Sequence, residues 1–174
     1  MPLVRRTWAP RGQTPVLHTR TRHHQHLSVI GAITVSPKLR RLGWYLRLHP
    51  DRSIRQAEII EFLRDLLRHV RGSLVLLWDR LNAHRGRQVQ DFLQRHPRLD
   101  TEHFPAYAPE LNPNEYGWAH LKGHRLGNYC PHDLGELHET VEETLPSVTT
   151  NQSLLRGFIR ATKLPLRIPR RPRA

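Results

Sequence analysis

Residues 74–84 read Leu-Val-Leu-Leu-Trp-Asp-Arg-Leu-Asn-Ala-His, and residues 105–118 read Pro-Ala-Tyr-Ala-Pro-Glu-Leu-Asn-Pro-Asn-Glu-Tyr-Gly-Trp. The unbroken apolar run 74–78 predicts a strand covered on both faces in a parallel sheet. Asp79 closes that run. A carboxylate at the C-terminal end of a buried parallel strand stands in the crevice where open α/β sheets place their ligands. Asp is equally common as a turn residue or helix N-cap, so position alone leaves both readings open. In the second stretch Asn112 is a good N-cap, Pro113 suits the first helical position, and Glu115 falls at the third. There Glu115 also fits the back-reaching carboxylate of a capping box. A cap does not explain the rigid Pro-Ala-Tyr-Ala-Pro approach that delivers the helix.

Working outward, residues 27–35 are apolar and partly β-branched, and predict a strand ending at Ser36-Pro37, with 43–49 as its antiparallel partner. Ser53 with Gln56 three residues later predicts a capped helix over 53–71, with Ala57, Ile60, Leu63, Leu67 and Val70 at helical spacing and Gly72 as its stop. A basic helix over 85–96, a short strand over 99–104, a helix over 113–126 and amphipathic stretches at 133–145 and 152–161 follow. Strands before a helix, then strand–helix–strand–helix, make an α/β layout. Residues 1–26, basic and rich in Pro, Gly and His, read as an extended N-terminal segment. Residues 27–161 read as the folded core, and the Pro- and Arg-rich stretch 162–174 as a disordered tail.

The chain of 174 residues is the size of one domain, with a net charge of +13. Such an excess points to a polyanion, above all nucleic acid, and fits either an enzyme acting on it or a plain binder of the ribosomal or nucleoid type. The single Cys130 excludes an internal disulfide framework. No apolar run approaches the ~20 residues of a membrane span, and the N-terminus lacks the apolar core of a signal peptide, so a cytoplasmic, nucleoid-associated location is expected. His120 and His124 at i, i+4, and the group His23, His24 and His26, raise a zinc reading. A zinc hydrolase helix needs His-Glu-x-x-His, and Leu121 stands where the Glu would be, which argues against it.

Taken together, Asp79-x-x-x-Ala83-His84 after an apolar strand, then Tyr107-Ala-Pro-Glu-Leu-Asn-Pro-Asn-Glu115 with Trp118 and Lys122 downstream, resemble the DDE transposases of the mariner superfamily in its bacterial insertion-sequence branch. The Arg-Thr-Trp-Ala-Pro-Arg-Gly-Gln-Thr-Pro of 6–15 and the Leu-Ser-Val-Ile-Gly-Ala-Ile of 27–33 also resemble that branch, so that the likeness covers roughly 5–145. It implies an RNase H-like mixed sheet flanked by helices and metal-dependent cleavage and strand transfer of DNA. In such a site carboxylates hold two Mg²⁺ or Mn²⁺ ions, because hard cations prefer oxygen ligands. Asp79 matches the second ligand of the family and Glu115 the third. The candidate DNA contacts are Arg80, His84, Arg85, Lys122 and Arg125. His84 serves equally as an orienter of Asp79 or a helix-start residue. Lys122, two turns beyond Glu115, is either a phosphate contact or a solvated surface Lys.

One departure from the family stands out. The first family Asp lies on a central strand upstream of the Arg-Thr-Trp segment, whereas here no Asp or Glu precedes Asp51. Asp51 itself sits in a His-Pro-Asp-Arg-Ser turn. The expectation is therefore a sheet lacking its first, central strand, in a truncated gene or the downstream frame of a frameshifted element. The helix-turn-helix domains that read transposon ends in the family are also missing from this sequence. The implied partners are DNA (transposon ends and target) and a second copy or full-length transposase, with no membrane. The alternative function is a catalytically inactive remnant that binds DNA or inhibits transposase.

Overall fold

The computed structural model describes residues 4–16, 25–38, 40–124 and 126–166. His23, His24, Arg125 and the end of the basic tail lie outside the described residues. The chain opens with a hairpin, β1 (Leu27–Val35) and β2 (Leu42–Pro50), antiparallel from Leu27↔Pro50 to Val35↔Leu42. Ser36 builds the turn: its amide donates to the Arg41 carbonyl at 2.9 Å, and its Oγ accepts from the Arg40 and Arg41 amides. At the other end of the hairpin Asp51 is a turn residue with φ 51, its amide bonded to the His26 carbonyl.

Helix α1 spans Gln56–His69, so it begins three residues later than Ser53 predicts. The cap sits at Arg55, whose amide donates to Glu58 Oε2 at 2.9 Å. Gln56 is not a capping-box partner of Ser53. Its Oε1 instead accepts from the Gln88 amide at 3.1 Å, satisfying a donor in the first turn of another helix. That helix, α2 (Arg87–Gln94), lies inside the predicted 85–96 and follows a 3₁₀ turn over Asn82–Arg85. Gly86 between them leaves room for the Gln56 amide, which would lie about 2 Å from a Cβ there.

Strands β3 (Leu74–Trp78) and β4 (Leu99–His103) flank α2 and pair in parallel, from Leu74↔Leu99 to Trp78↔His103. β3 is covered on one face, not both. Leu74, Leu76 and Trp78 pack with α1, α2 and β4, whereas Val75 and Leu77 are 62% and 46% exposed. The cause is that the sheet is split: β1 pairs with β2 and β3 with β4, with no ladder joining the two pairs and no central strand among the described residues. The result is a mixed α/β, RNase H-like arrangement of two small sheets flanked by helices.

Three helices complete it: α3 (Pro113–His124), α4 (Leu134–Thr149) and α5 (Gln152–Ala161). α4 passes beyond the predicted end at 145 and runs through Pro146. Pro146, which lacks the N–H that would bond the Glu142 carbonyl, lies with Glu142 on the exposed side of α4, while Val141, Leu145 and Val148 continue the apolar face inward. The two sheets have separate cores. One joins Leu42 and Trp44 to Leu121, Val148, Leu155, Phe158 and Ile159; the other joins Ile59, Leu63, Trp78, Val89, Phe92 and Leu99. Each fully buried side chain of this size contributes about 1.5–3 kcal/mol. Among the described residues no helix is long and apolar enough to cross a membrane.

His49 on β2 is buried, and its Nε2 has no hydrogen-bond partner. Burial first, and the Arg47 guanidinium second, hold its pKa below the ordinary imidazole value. The unfolded chain therefore takes up a proton below about pH 6.5 that the folded chain refuses. Stability should fall as pH drops from about 6.5 toward the depressed folded pKa, and level off below it. The urea midpoint of His49→Phe should depend less on pH across that window than that of the native chain; equal slopes would remove His49 as the cause.

Candidate active site

Asp79 leaves the end of β3 half-fixed. Its Oδ1 accepts from the Leu81 amide at 3.0 Å and stands 3.0 Å from His84 Nδ1. The same nitrogen is 3.2 Å from the Asp79 carbonyl. Asp79 is thus a turn residue with the His84 ring lying against it in the same short loop. His84 is in turn immobilised: its ring stacks on Trp78, 4.4 Å between centroids and 8° from parallel, and Trp78 is buried in the second core. Oδ2 of Asp79 has no protein partner among the described contacts, and the side chain is 61% exposed. One oxygen orients the group while the other is open to solvent.

Glu115 lies in the first turn of α3, a helix that packs on the first core. Asn112 Oδ1 accepts from the Asn114 amide at 3.1 Å, the expected N-cap. The Asn112 amide, which a capping box would give to Glu115, donates to the Pro109 carbonyl instead. Glu115 is therefore not a back-reaching cap, and it is exposed. What fixes its helix is Trp44 on β2. The indole Nε1 donates to Asn114 Oδ1 at 2.9 Å, and the ring lies so close to α3 that a Cβ on Gly117 would be 2.5 Å from it. Trp118 and Phe158 flank the same indole at 5.2 and 5.8 Å.

The segment between the carboxylates is tied at both ends. The Phe104 amide donates to the Trp78 carbonyl at 2.9 Å, and Arg80 Nε donates to the Phe104 carbonyl at 3.2 Å. Farther on, the Glu110 carbonyl accepts from the Lys163 amide, and Thr162 beside it is buried. Arg80, next to Asp79 in the chain, and Arg85, at the end of the 3₁₀ turn, are exposed. Lys122 is exposed two turns beyond Glu115, its stem against an apolar groove that includes Leu27, Val29 and Trp118. Arg125 lies outside the described residues.

Asp79 and Glu115 are the hard oxygen donors that a divalent ion favours. Among the described residues, however, no three His, Cys, Asp or Glu side chains are grouped to hold a metal ion. The donor chemistry fits; a complete ligand set is not present. His120 and His124 are rings in contact, 4.4 Å apart, and His120 also packs on Phe158. His26 pairs loosely with Asp51 at 3.9 Å.

Sequence reasoning passed over Tyr107. It is 102% exposed and has φ 58, a left-handed backbone that costs a non-glycine residue ~1–3 kcal/mol. The signal available was its setting, Pro105-Ala-Tyr-Ala-Pro109 between the two carboxylates.

Asp79 thus stands exposed at the end of β3, and Glu115 stands exposed in the first turn of α3. The family model described as "DDE superfamily endonuclease" matches residues 1–138, and the chain belongs to that family. Among solved structures, the Mos1 mariner paired-end complex with Mn superposes with a TM-score of 0.62 at 17% identity, covering 92% of this chain and 49% of that one. The Mos1 transposase paired-end complex with left transposon end gives 0.59 at 19%, covering 92% and 47%. The Mos1 transposase catalytic domain with Raltegravir and Mg gives 0.55 at 16%, covering 76% and 78%. These likenesses establish the fold, that of the mariner transposase catalytic domain. The chain spans about half the length of the Mos1 chains in the complexes. No curated protein matches it in sequence.

Because the Trp44 ring cannot bend away, Gly117→Val should destabilise the fold by about 1–3 kcal/mol. Urea denaturation monitored by far-UV circular dichroism checks this. A change below about 0.5 kcal/mol, the range of ordinary surface substitutions, would mean that α3 is not seated on Trp44.

Proposed function

We propose that this chain is the greater part of the catalytic core of a DNA transposase of the bacterial insertion-sequence branch, with Asp79 and Glu115 as two of its three active-site carboxylates. The observation that carries the reading is Asp79: one oxygen is held by Leu81 and His84 while the other is left open at the end of a strand. In this reading Asp79 and Glu115 would hold divalent ions, Mg²⁺ or Mn²⁺. Such an ion pair supplies the positive charge that steadies the attacking and leaving oxygens of an in-line displacement. His84 keeps the Asp79 carboxylate in one orientation. Arg80, Arg85 and Lys122 meet backbone phosphates of transposon-end and target DNA, which position the strand without reading its sequence. Arg125 is proposed with them on sequence grounds alone. The domain limits proposed are 1–26, 27–161 and 162–174, and the location the cytoplasm, on the nucleoid. Association with a second copy or with full-length transposase belongs to the same reading.

A second reading is favoured by one observation: the sequence has no Asp or Glu before Asp51. A polypeptide of these 174 residues would then bind DNA, or bind and inhibit transposase, without cutting. The two readings separate experimentally. The 174-residue chain should bind duplex DNA with little sequence preference and an affinity that falls steeply with salt on logarithmic axes. Affinity indifferent to salt would count against phosphate contact. The same chain should cleave poorly with Mg²⁺ or Mn²⁺. Extended upstream by a strand carrying an Asp, it should cut element-end DNA, and Asp79→Asn or Glu115→Gln should each slow cutting at least about 10²-fold with DNA binding nearly unchanged. Cutting that survives both substitutions would remove these carboxylates from the site.

A further inference from the structure

We infer that Tyr107 is a stacking platform for an unpaired nucleobase of the DNA strand brought to Asp79 and Glu115. The inference rests on the DNA-cutting reading above but concerns a residue that the carboxylate chemistry does not use.

Three observations converge on it. Tyr45, Tyr116 and Tyr129 are all partly buried, and Tyr129 also bonds Glu136 and Thr140; Tyr107 alone of the tyrosines has its whole side chain in solvent. Its backbone sits at φ 58, where a bulky residue is strained, so a Gly or Asn would be the ordinary occupant. Strain kept at a solvent-exposed aromatic points to something outside the fold that uses the ring. The position is also built rather than slack. Pro105 and Pro109 bracket the loop, its near end is bonded to Trp78 and Arg80, and its far end to Lys163.

The occupant follows from the surroundings. The loop leaves the same sheet end as Asp79 and leads into the helix of Glu115, and the chain carries a net charge of +13. Arg80 is bonded to the start of the loop, and a polyanion that offers something to a bare aromatic ring is a nucleic acid, whose base face the ring takes. A base paired inside a duplex presents no face to it, because its neighbours in the stack cover both, so an internal base must be frayed or flipped out. The hydroxyl is not needed for this; the ring is.

The test compares a labelled, fully paired duplex with the same duplex carrying a short unpaired 3′ end, with 2-aminopurine in the tail as reporter. The native chain should bind the tailed DNA more tightly and quench the 2-aminopurine. Tyr107→Ala and Tyr107→Gly should lose roughly 5- to 100-fold in affinity for the tailed DNA alone, together with the quenching. Tyr107→Phe and Tyr107→Trp should keep both. If Tyr107→Gly, which relieves the backbone, binds the tailed DNA as the native chain does, the ring has no role and the inference is overturned. Equal losses on both DNAs would also overturn it, pointing to a loop contact with the duplex. Should the native chain bind neither DNA, the DNA-cutting reading itself falls, a result distinct from binding both alike.

Discussion

The contact between Trp44 and Gly117 is the constraint on which the first half of the structure turns. An indole can come this close to a helix only where the helix has no Cβ in the way, and a buried indole N–H needs an acceptor. Gly117 supplies the first condition and Asn114 the second. Both lie in the first part of α3, on either side of Glu115. The same ring carries Trp118 and Phe158 on its flanks, so a single residue of the hairpin joins α3 to α5. Among the described residues the Glu115 side chain has no hydrogen-bond or ion-pair partner; its helix holds it.

Asp79 is fixed by a different device in a different core. A buried indole, Trp78, carries a stacked imidazole, and the imidazole carries the carboxylate. Two tryptophans, one in each core, thus lie beneath the elements that carry the two acidic residues. The covalent link between them is the proline-bracketed loop after β4. It is pinned at its start to the end of β3 and near its end to the chain after α5, so this loop carries the register between the two halves.

Where local pattern decides the outcome, the sequence was readable. β1 and α5 have the bounds that the β-branched run and the amphipathic spacing predict, and Asn151 Oδ1 caps α5 by accepting from the Leu154 amide. Asp79 was legible because a polar residue closing an apolar run marks a strand end. Other features depend on partners that no local window contains. Gln56 fits a capping box with Ser53 on spacing, yet its amide is used across the fold at Gln88. An apolar run does not say how many of its faces are covered, and Val75 and Leu77 are exposed. Tyr107 reads as one ring among the four tyrosines until its φ is known, and the seating of α3 on Trp44 joins residues far apart in the chain.

The two cores differ in how they are strung along the chain. The core beneath Asp79 is drawn from one continuous stretch, Ile59 to Leu99, whereas the core beneath Glu115 joins Leu42 and Trp44 to residues as late as Ile159. Gln152 clamps both backbone groups of Leu42, and Arg156 bonds the Arg40 carbonyl, so the hairpin is locked by the last helix. Contacts close in sequence form early, and distant ones wait for loop closure. During synthesis the Asp79 half is complete while most of the partners of the hairpin are still unmade. A nascent chain therefore assembles its two acidic positions in order, the second only when α5 has emerged, and a stop codon before α5 would spare one half and leave the other without its lock.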